Sequence, residues 1–203
     1  MPLEAALRQY VEALFYSRVG SHGRRSAGGQ TRVEALIARF GLGVRPPQTL
    51  EGAASIAGIT RERVRQLQVR LQSVRPPHPV YIPQLDRALQ LVSDLGAVPA
   101  STAEQHLADR GVSANAFHPE SLLAAATFCG REAGFSIERD ENGCFVGGSS
   151  NLASMSKALA QARRQASKYG ASNLVELSSR LSANGLNLDE RGLRSMLEIH
   201  VPA

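Results

Sequence analysis

Apolar residues in the first 78 positions recur at the three- and four-residue spacing of amphipathic helices. Leu3, Leu7, Tyr10, Val11, Leu14 and Phe15 make one stripe, and Val33, Leu36, Ile37 and Phe40 make a second that stops at Gly41 and Gly43. Between them GSHGRRSAGG (20–29) reads as a mobile loop. Thr49 is placed to cap a third helix through Ile56, and Thr60 a fourth that runs to about Ser73, because a threonine oxygen accepts from the free N–H groups of a first helical turn. On the fourth, Val64, Leu67 and Leu71 predict one inward stripe. Gly58 marks the turn between the last two, with Ile56 and Ile59 available to pack the pair together.

Further along, Leu85, Leu89, Val92 and Leu95 mark another helix. STAE (101–104) is a capping box opening the next, which ends at Gly111, and His118-Pro119 opens a third. The period then shortens: Phe135 and Ile137, then Asn142-Gly143, then Cys144 and Val146 predict a hairpin. Three helices and a hairpin predict a winged helix-turn-helix arrangement. Residues 170–186 repeat the plan of 96–112, with a Gly-Ala, a cap, an early Glu and a glycine stop. NLDE (187–190) then caps a last helix to about His200, and VPA stands where the earlier copy builds its wing. Either that module is wingless or the chain is part of a longer one.

Prolines 76, 77, 79 and 83 and the Gly/Ser stretch GGSSN (147–151) are the predicted connections. The expected fold is mostly α: a helix-turn-helix domain (1–78), a winged-helix-like module (79–150), and a second such module without a complete wing (151–203).

Composition adds detail. Hydrophobic residues are 43 % of the chain, so packed cores are expected; aromatics are only 5 %, which favours small helical modules. No apolar run approaches the roughly 18–20 residues of a membrane span. Acids within the N-terminal apolar pattern argue against a signal peptide. Two cysteines, Cys129 and Cys144, are too few for a disulfide framework or a four-cysteine zinc site. A reduced, cytoplasmic protein without metal or cofactor is expected. Histidines 22, 78, 106, 118 and 200 are scattered, His118 reads as a cap, no phosphate-cradling glycine motif is present, and the acids are dispersed. No catalytic residue is expected, and the chain reads as a non-enzyme.

Charge sharpens the picture. Residues 1–78 hold 12 Arg and 5 Glu, a net +7, whereas 79–150 hold 4 Arg and 9 acids, a net −5, and 151–203 return to +3. A localised basic segment points to a nucleic-acid footprint. Within it, TLEGAASIAGITRERVRQLQVRLQ (49–72) sets Arg61, Glu62, Arg65 and Gln66 facing outward near a helix N-terminus. Arg binds guanine bidentately, Gln binds adenine, and Glu accepts from cytosine. Arg63 and Arg70 are better placed for phosphates. A merely solvated basic face would not need Glu62 and Gln66 among its arginines.

RVEALIARFGLG and PQTLEGAASIAGITRERVRQLQVRLQ, together spanning 32–72, resemble region 4 of bacterial primary-type sigma factors, the module that reads the −35 promoter element. TRERVRQL is similar nearly residue for residue to that family's recognition helix. The resemblance implies base contacts from Arg61, Glu62, Arg65 and Gln66, with Arg63 nearby on the backbone; Thr49, Thr60 and Arg70 are expected to join Arg63 in contacts to the DNA backbone. It covers about 40 of 203 residues. Gly52 and Ala53 replace bulkier residues usual in the supporting helix, and nothing upstream resembles the promoter-melting region, so a complete sigma factor is not expected.

The expected function is a sequence-specific, nucleoid-associated bacterial transcription regulator. Its partners are double-stranded DNA and a second copy of the chain, a homodimer supplying the second half-site. One alternative is an accessory factor docking core RNA polymerase through the apolar face of 33–40; another is an adaptor whose helical modules contact proteins. PESLLAAATFCG (119–130) has no Lys or Arg and the wing that follows carries Glu138, Asp140 and Glu141, so the middle module is expected to be a protein-contact or dimerisation module, since phosphate dominates DNA affinity. Lys157, Arg163, Arg164 and Lys168, with Arg191 and Arg194 beyond, leave two readings open for the last module: a second DNA contact or ordinary surface charge.

Overall fold

The computed structural model describes residues 1–18, 27–140, 143–169 and 173–183. Among these the chain is mostly helical, with one small three-stranded antiparallel sheet. It divides into two compact units: residues 1–91 with 104–133, and 92–103 with the chain from 134 onward.

The first unit opens with α1 (Leu3–Arg18), α2 (Ala27–Phe40), α3 (Leu50–Ala57) and α4 (Arg61–Val74). The apolar stripes behave as their spacing predicts: Leu3, Leu7, Val11, Leu14 and Phe15 of α1 are buried, as are Val33, Leu36 and Ile37 of α2. On the face of 33–40, which the polymerase-docking alternative would use, Val33, Leu36 and Ile37 are buried and Phe40 is half-buried. Helix α2 starts at Ala27, so Gly28 and Gly29 lie in its first turn rather than in the loop expected over 20–29; residues 19–26 are outside the described set. Helices α2, α3 and α4 meet through small side chains, Ala35, Ala53 and Ala54 against Val64. The shortened residue Ala53 thus has a packing reason: it lets three helices approach closely.

Gly58 ends α3 with φ 63°, its N–H reaching the carbonyls of Ala54 and Ser55, and the Ile59 N–H follows to Ala54 O at 3.1 Å. A left-handed residue closing the last turn with two such bonds satisfies carbonyls that the helix itself leaves open. Ile59 packs on the alanine cluster as expected. Ile56 does not: it is 42 % exposed and, with Ala57, lines a surface hollow beside Gln30, Thr31 and Glu34 of α2.

Helix α7 (Pro119–Cys129) completes this unit. His118 caps it as predicted, Nδ1 accepting from the Glu120 N–H at 3.2 Å. Seven of its eleven residues are buried. Phe128 lies 5.0 Å from the Phe40 ring and 6.1 Å, edge-on, from Tyr10, with the Arg75 guanidinium 5.9 Å over its face. The Cys129 carbonyl accepts from Val80 N–H at 2.8 Å, and Arg131 pairs with Asp86. This apolar helix packs on α1 and α2 of its own chain. Residues on both sides of the 76–83 proline cluster share this unit.

In the second unit, β3 (Gly143–Gly147) runs between β1 (Val98–Pro99) and β2 (Ser136–Asp140), antiparallel to both. Val146 pairs with Val98 on one side and Ile137 on the other. The hairpin strands fall where the alternation places them; Asn142 lies outside the described residues. Helices α5 (Pro83–Asp94) and α6 (Ala100–Asp109) each have residues in both units. The two-residue β1 runs straight into α6 at Ala100, so Ser101 lies inside the first turn and is not the cap expected from STAE.

GGSSN is not a loose linker either. Gly147 closes β3, and a Cβ there would sit 2.5 Å from the Gly96 carbonyl oxygen and 2.8 Å from Ala97 Cα. Ser149 already begins α8 (Ser149–Tyr169). Ala97, Phe145, Leu152, Met155, Leu159 and Ala162 form one core with Leu177 of α9 (Leu174–Ala183). Asn173 caps α9 through its side-chain oxygen, which accepts from the Val175 and Glu176 N–H groups. The helix expected over 187–200, and with it the question of a wing on the last module, lies outside the described residues.

Candidate nucleic-acid interface

Helix α4 has two opposite faces. Val64, Leu67 and Leu71 are at most 2 % exposed. At about 100° of rotation per residue, Glu62 and Val69 lie opposite that stripe, with Arg65 and Gln66 to either side. Arg61, Glu62, Arg65 and Gln66 are all exposed, and Arg63 is half-buried. Three of the four expected base-contact residues, Glu62, Arg65 and Gln66, therefore share the outward face, while Arg61 stands on its shoulder at the first helical position.

These side chains are joined to one another. Arg65 donates from Nε and Nη2 to the two carboxylate oxygens of Glu62, both at 2.8 Å. Gln66 Nε2 donates to Glu62 at 3.3 Å, and Arg63 donates to Gln66 Oε1 at 3.2 Å. The hydrogen bonds from Arg65 hold the Glu62 carboxyl below its ordinary 4.5, helped by Gln66 and by the charges of Arg65 and Arg61. The same bonds push the Arg65 guanidinium upward. Both groups are charged at neutral pH, and because the pair is open to water its partners can be exchanged for others.

Thr49 and Thr60 act as caps: Thr49 Oγ1 accepts from Gly52 N–H at 3.0 Å and Thr60 Oγ1 from Arg63 N–H at 3.2 Å. A hydroxyl that accepts a cap bond keeps its own hydrogen for donation. Capping and a phosphate contact are therefore compatible. Arg70 is exposed one turn beyond Gln66.

Behind the helix, Arg39 of α2 supplies a strut. Its Nε donates to Gln68 Oε1 of α4 and its Nη1 to the Gln48 carbonyl just before α3, both at 2.8 Å. One planar guanidinium thus fixes α4 against the start of α3, and a lysine cannot make both bonds in that geometry. Arg8 is paired with Glu34, and Arg75 lies on Phe128. Part of the +7 of residues 1–78 is consumed in holding helices together.

No family model, curated protein or solved structure matches the chain. Among the described residues no three His, Cys, Asp or Glu side chains gather as metal ligands, and no helix is long and apolar enough to cross a membrane.

Two features escaped the sequence reading. Val69, 53 % exposed, occupies the middle of the outward face. Its position seven residues after Glu62 was a usable signal, hidden by attention to polar residues alone. The Arg39–Gln68 strut had no such signal, since a bond between residues 29 apart depends on the packing of α2 against α4.

Proposed function

We propose that this chain is a sequence-specific DNA-binding transcriptional regulator in which α3 and α4 act as a helix-turn-helix similar to sigma region 4. The observation that carries the reading is the outward face of α4: Glu62, Arg65 and Gln66 around Val69, opposite a fully buried stripe. Helix α4 lies in the major groove, with α3 bracing the backbone. Arg65 and Arg61 address guanine, Gln66 adenine and Glu62 cytosine, and Val69 meets a thymine methyl. Thr49, Thr60, Arg63 and Arg70 hold phosphates.

The order α5, β1, α6, α7, β2, β3 supports a winged-helix-like reading of the middle segment. Its α7 has no Lys or Arg and is buried, so α4 carries the recognition. One such helix covers few base pairs, and a homodimer on paired half-sites supplies the remaining affinity. The polymerase-docking alternative loses support, because Val33, Leu36 and Ile37 are buried and Phe40 packs on Phe128.

Selection of bound duplexes from a random pool, followed by footprinting, tests the reading. A single enriched motif with protection in the major groove is expected. Recovery of unenriched DNA rejects base readout, and sedimentation of a monomer both free and on the selected site rejects the paired half-sites.

A further inference from the structure

Helix α8 carries 21 residues without a single Asp or Glu. Its apolar side, Leu152, Met155, Leu159 and Ala162, is consumed in the core with Phe145 and Leu177. A second side is covered by α9: Gln161 accepts from Arg180 at 2.9 Å, and Gln165 donates to Glu176 at 3.3 Å. What remains is an exposed stripe of Lys157, Arg164 and Lys168, with the small residues Ala153, Ala160 and Ser167 along one side of it. Among the described residues no carboxylate pairs with Lys157, Arg164 or Lys168; Lys168 lies 5.1 Å over the Tyr169 ring. Of the acids beside the helix, Glu138 of β2 is bonded to Ser156 at 3.0 Å and Glu176 of α9 to Gln165 and Arg180.

We propose that this stripe is a second DNA-binding face, which grips the phosphate backbone of duplex DNA without reading bases. Three cations at i, i+7 and i+11 lie about 10 Å and about 6 Å apart along the helix axis. Phosphates of one strand step by about 3.4 Å along the duplex, so flexible Lys and Arg stems reach separate phosphates from one face. The small residues beside them let the helix backbone approach. A membrane surface is the poorer partner: helices that lie in lipid bury an apolar face there, and that face of α8 is already occupied. The amide that borders the stripe, Gln161, is engaged by Arg180, and α8 carries no carboxylate, which distinguishes the stripe from the mixed face of α4. It supplies charge and no base code.

The test uses the full chain and a scrambled duplex, so that readout by α4 does not enter. The triple variant Lys157→Gln, Arg164→Gln, Lys168→Gln is titrated across salt concentrations beside a charge-keeping variant, Lys157→Arg, Arg164→Lys, Lys168→Arg. Loss of three phosphate contacts lowers the magnitude of the log–log salt slope by about 2.7 and the low-salt affinity by roughly tenfold or more. The charge-keeping variant binds as the parent does. Should the triple variant fail to fold by circular dichroism, Arg164→Gln alone carries the test, with an expected slope change of about 0.9. Unchanged slope and affinity overturn the proposal, and so does loss of binding to phosphatidylserine vesicles with duplex binding intact. A selected motif that vanishes in α4 variants while the slope still responds to α8 separates this face from the one on α4.

Discussion

Helices α4 and α7 start alike and end in opposite roles. Each begins at a side-chain cap, Thr60 or His118, and each belongs to the same compact unit. Helix α4 buries three residues and turns its charged side outward; α7 buries seven and contains no Lys or Arg. The difference lies in how wide an apolar sector the sequence provides. A narrow stripe fixes a helix to the core and leaves a face free for a partner, whereas apolar residues around most of the circumference make the helix part of the core. Caps place a helix; the width of its stripe decides whether it is a tool or a support.

The strongest way to break this comparison is to truncate the support. Phe128→Ala removes a ring buried among Phe40, Tyr10 and Arg75 and is expected to cost about 3–5 kcal/mol in denaturant unfolding. A loss below about 1 kcal/mol would remove α7 from the core, since surface substitutions sit in that range.

Next in size is an alkaline effect at the same helix. Burial, with the Asp86 charge adding to it, pushes the Cys129 thiol from 9.0 to about 11. The unfolded chain then releases this proton first, so stability is constant below about pH 9 and falls as pH rises toward about 11. A shift of that size is worth on the order of 2–3 kcal/mol. Tyr10 is also raised, chiefly by burial, and acts in the same direction at higher pH. The stability gap between the parent and Cys129→Ala should narrow across this interval; a gap independent of pH contradicts a buried, neutral thiol.

On α4 the effect falls on binding instead. Arg65→Ala should weaken the selected site roughly ten- to hundredfold and scrambled duplex much less. Arg70→Ala should weaken both alike and lower the salt slope by about 0.9. Equal losses on both duplexes for Arg65→Ala would reduce α4 to a basic handle. The smallest expected effect is shared by the two regions. Gly58 and Gly130 both have positive φ, and neither has an atom closer than 3.4 Å to an added Cβ. Alanine at either should cost about 1 kcal/mol by thermal unfolding; a marked difference between them would show that the caps are not equivalent.

Much of this was legible in the sequence. The four N-terminal helices, their threonine caps, the Gly58 turn and the β2–β3 hairpin follow from local periodicity and capping chemistry, and so does the exposure of Arg61, Glu62, Arg65 and Gln66. What was illegible depends on distant neighbours. Strand β1 is two residues long and exists because β3 offers it a partner. Ile56 was expected inside, but the alanine cluster fills that contact without it. Gly147 was read as freedom of the backbone, when the approach of Gly96 requires the absence of a side chain. The division of α7 from the N-terminal helices was drawn at prolines, although prolines mark where a chain turns and carry no information about where it packs afterwards.

If α4 reads DNA as proposed, the closed Glu62–Arg65 fork bears on how the chain would spend its time off target. A guanidinium already satisfied by a carboxylate gains little by trading it for a random phosphate, which offers a similar oxygen pair in equally wet surroundings. A guanine edge offers a matched acceptor pair and, beside it, work for Glu62 as well, so only there does the exchange satisfy both former partners. On the proposed reading, Glu62 is an internal competitor: it would hold the arginine in reserve against the many wrong sequences and yield it where both residues find new bonds.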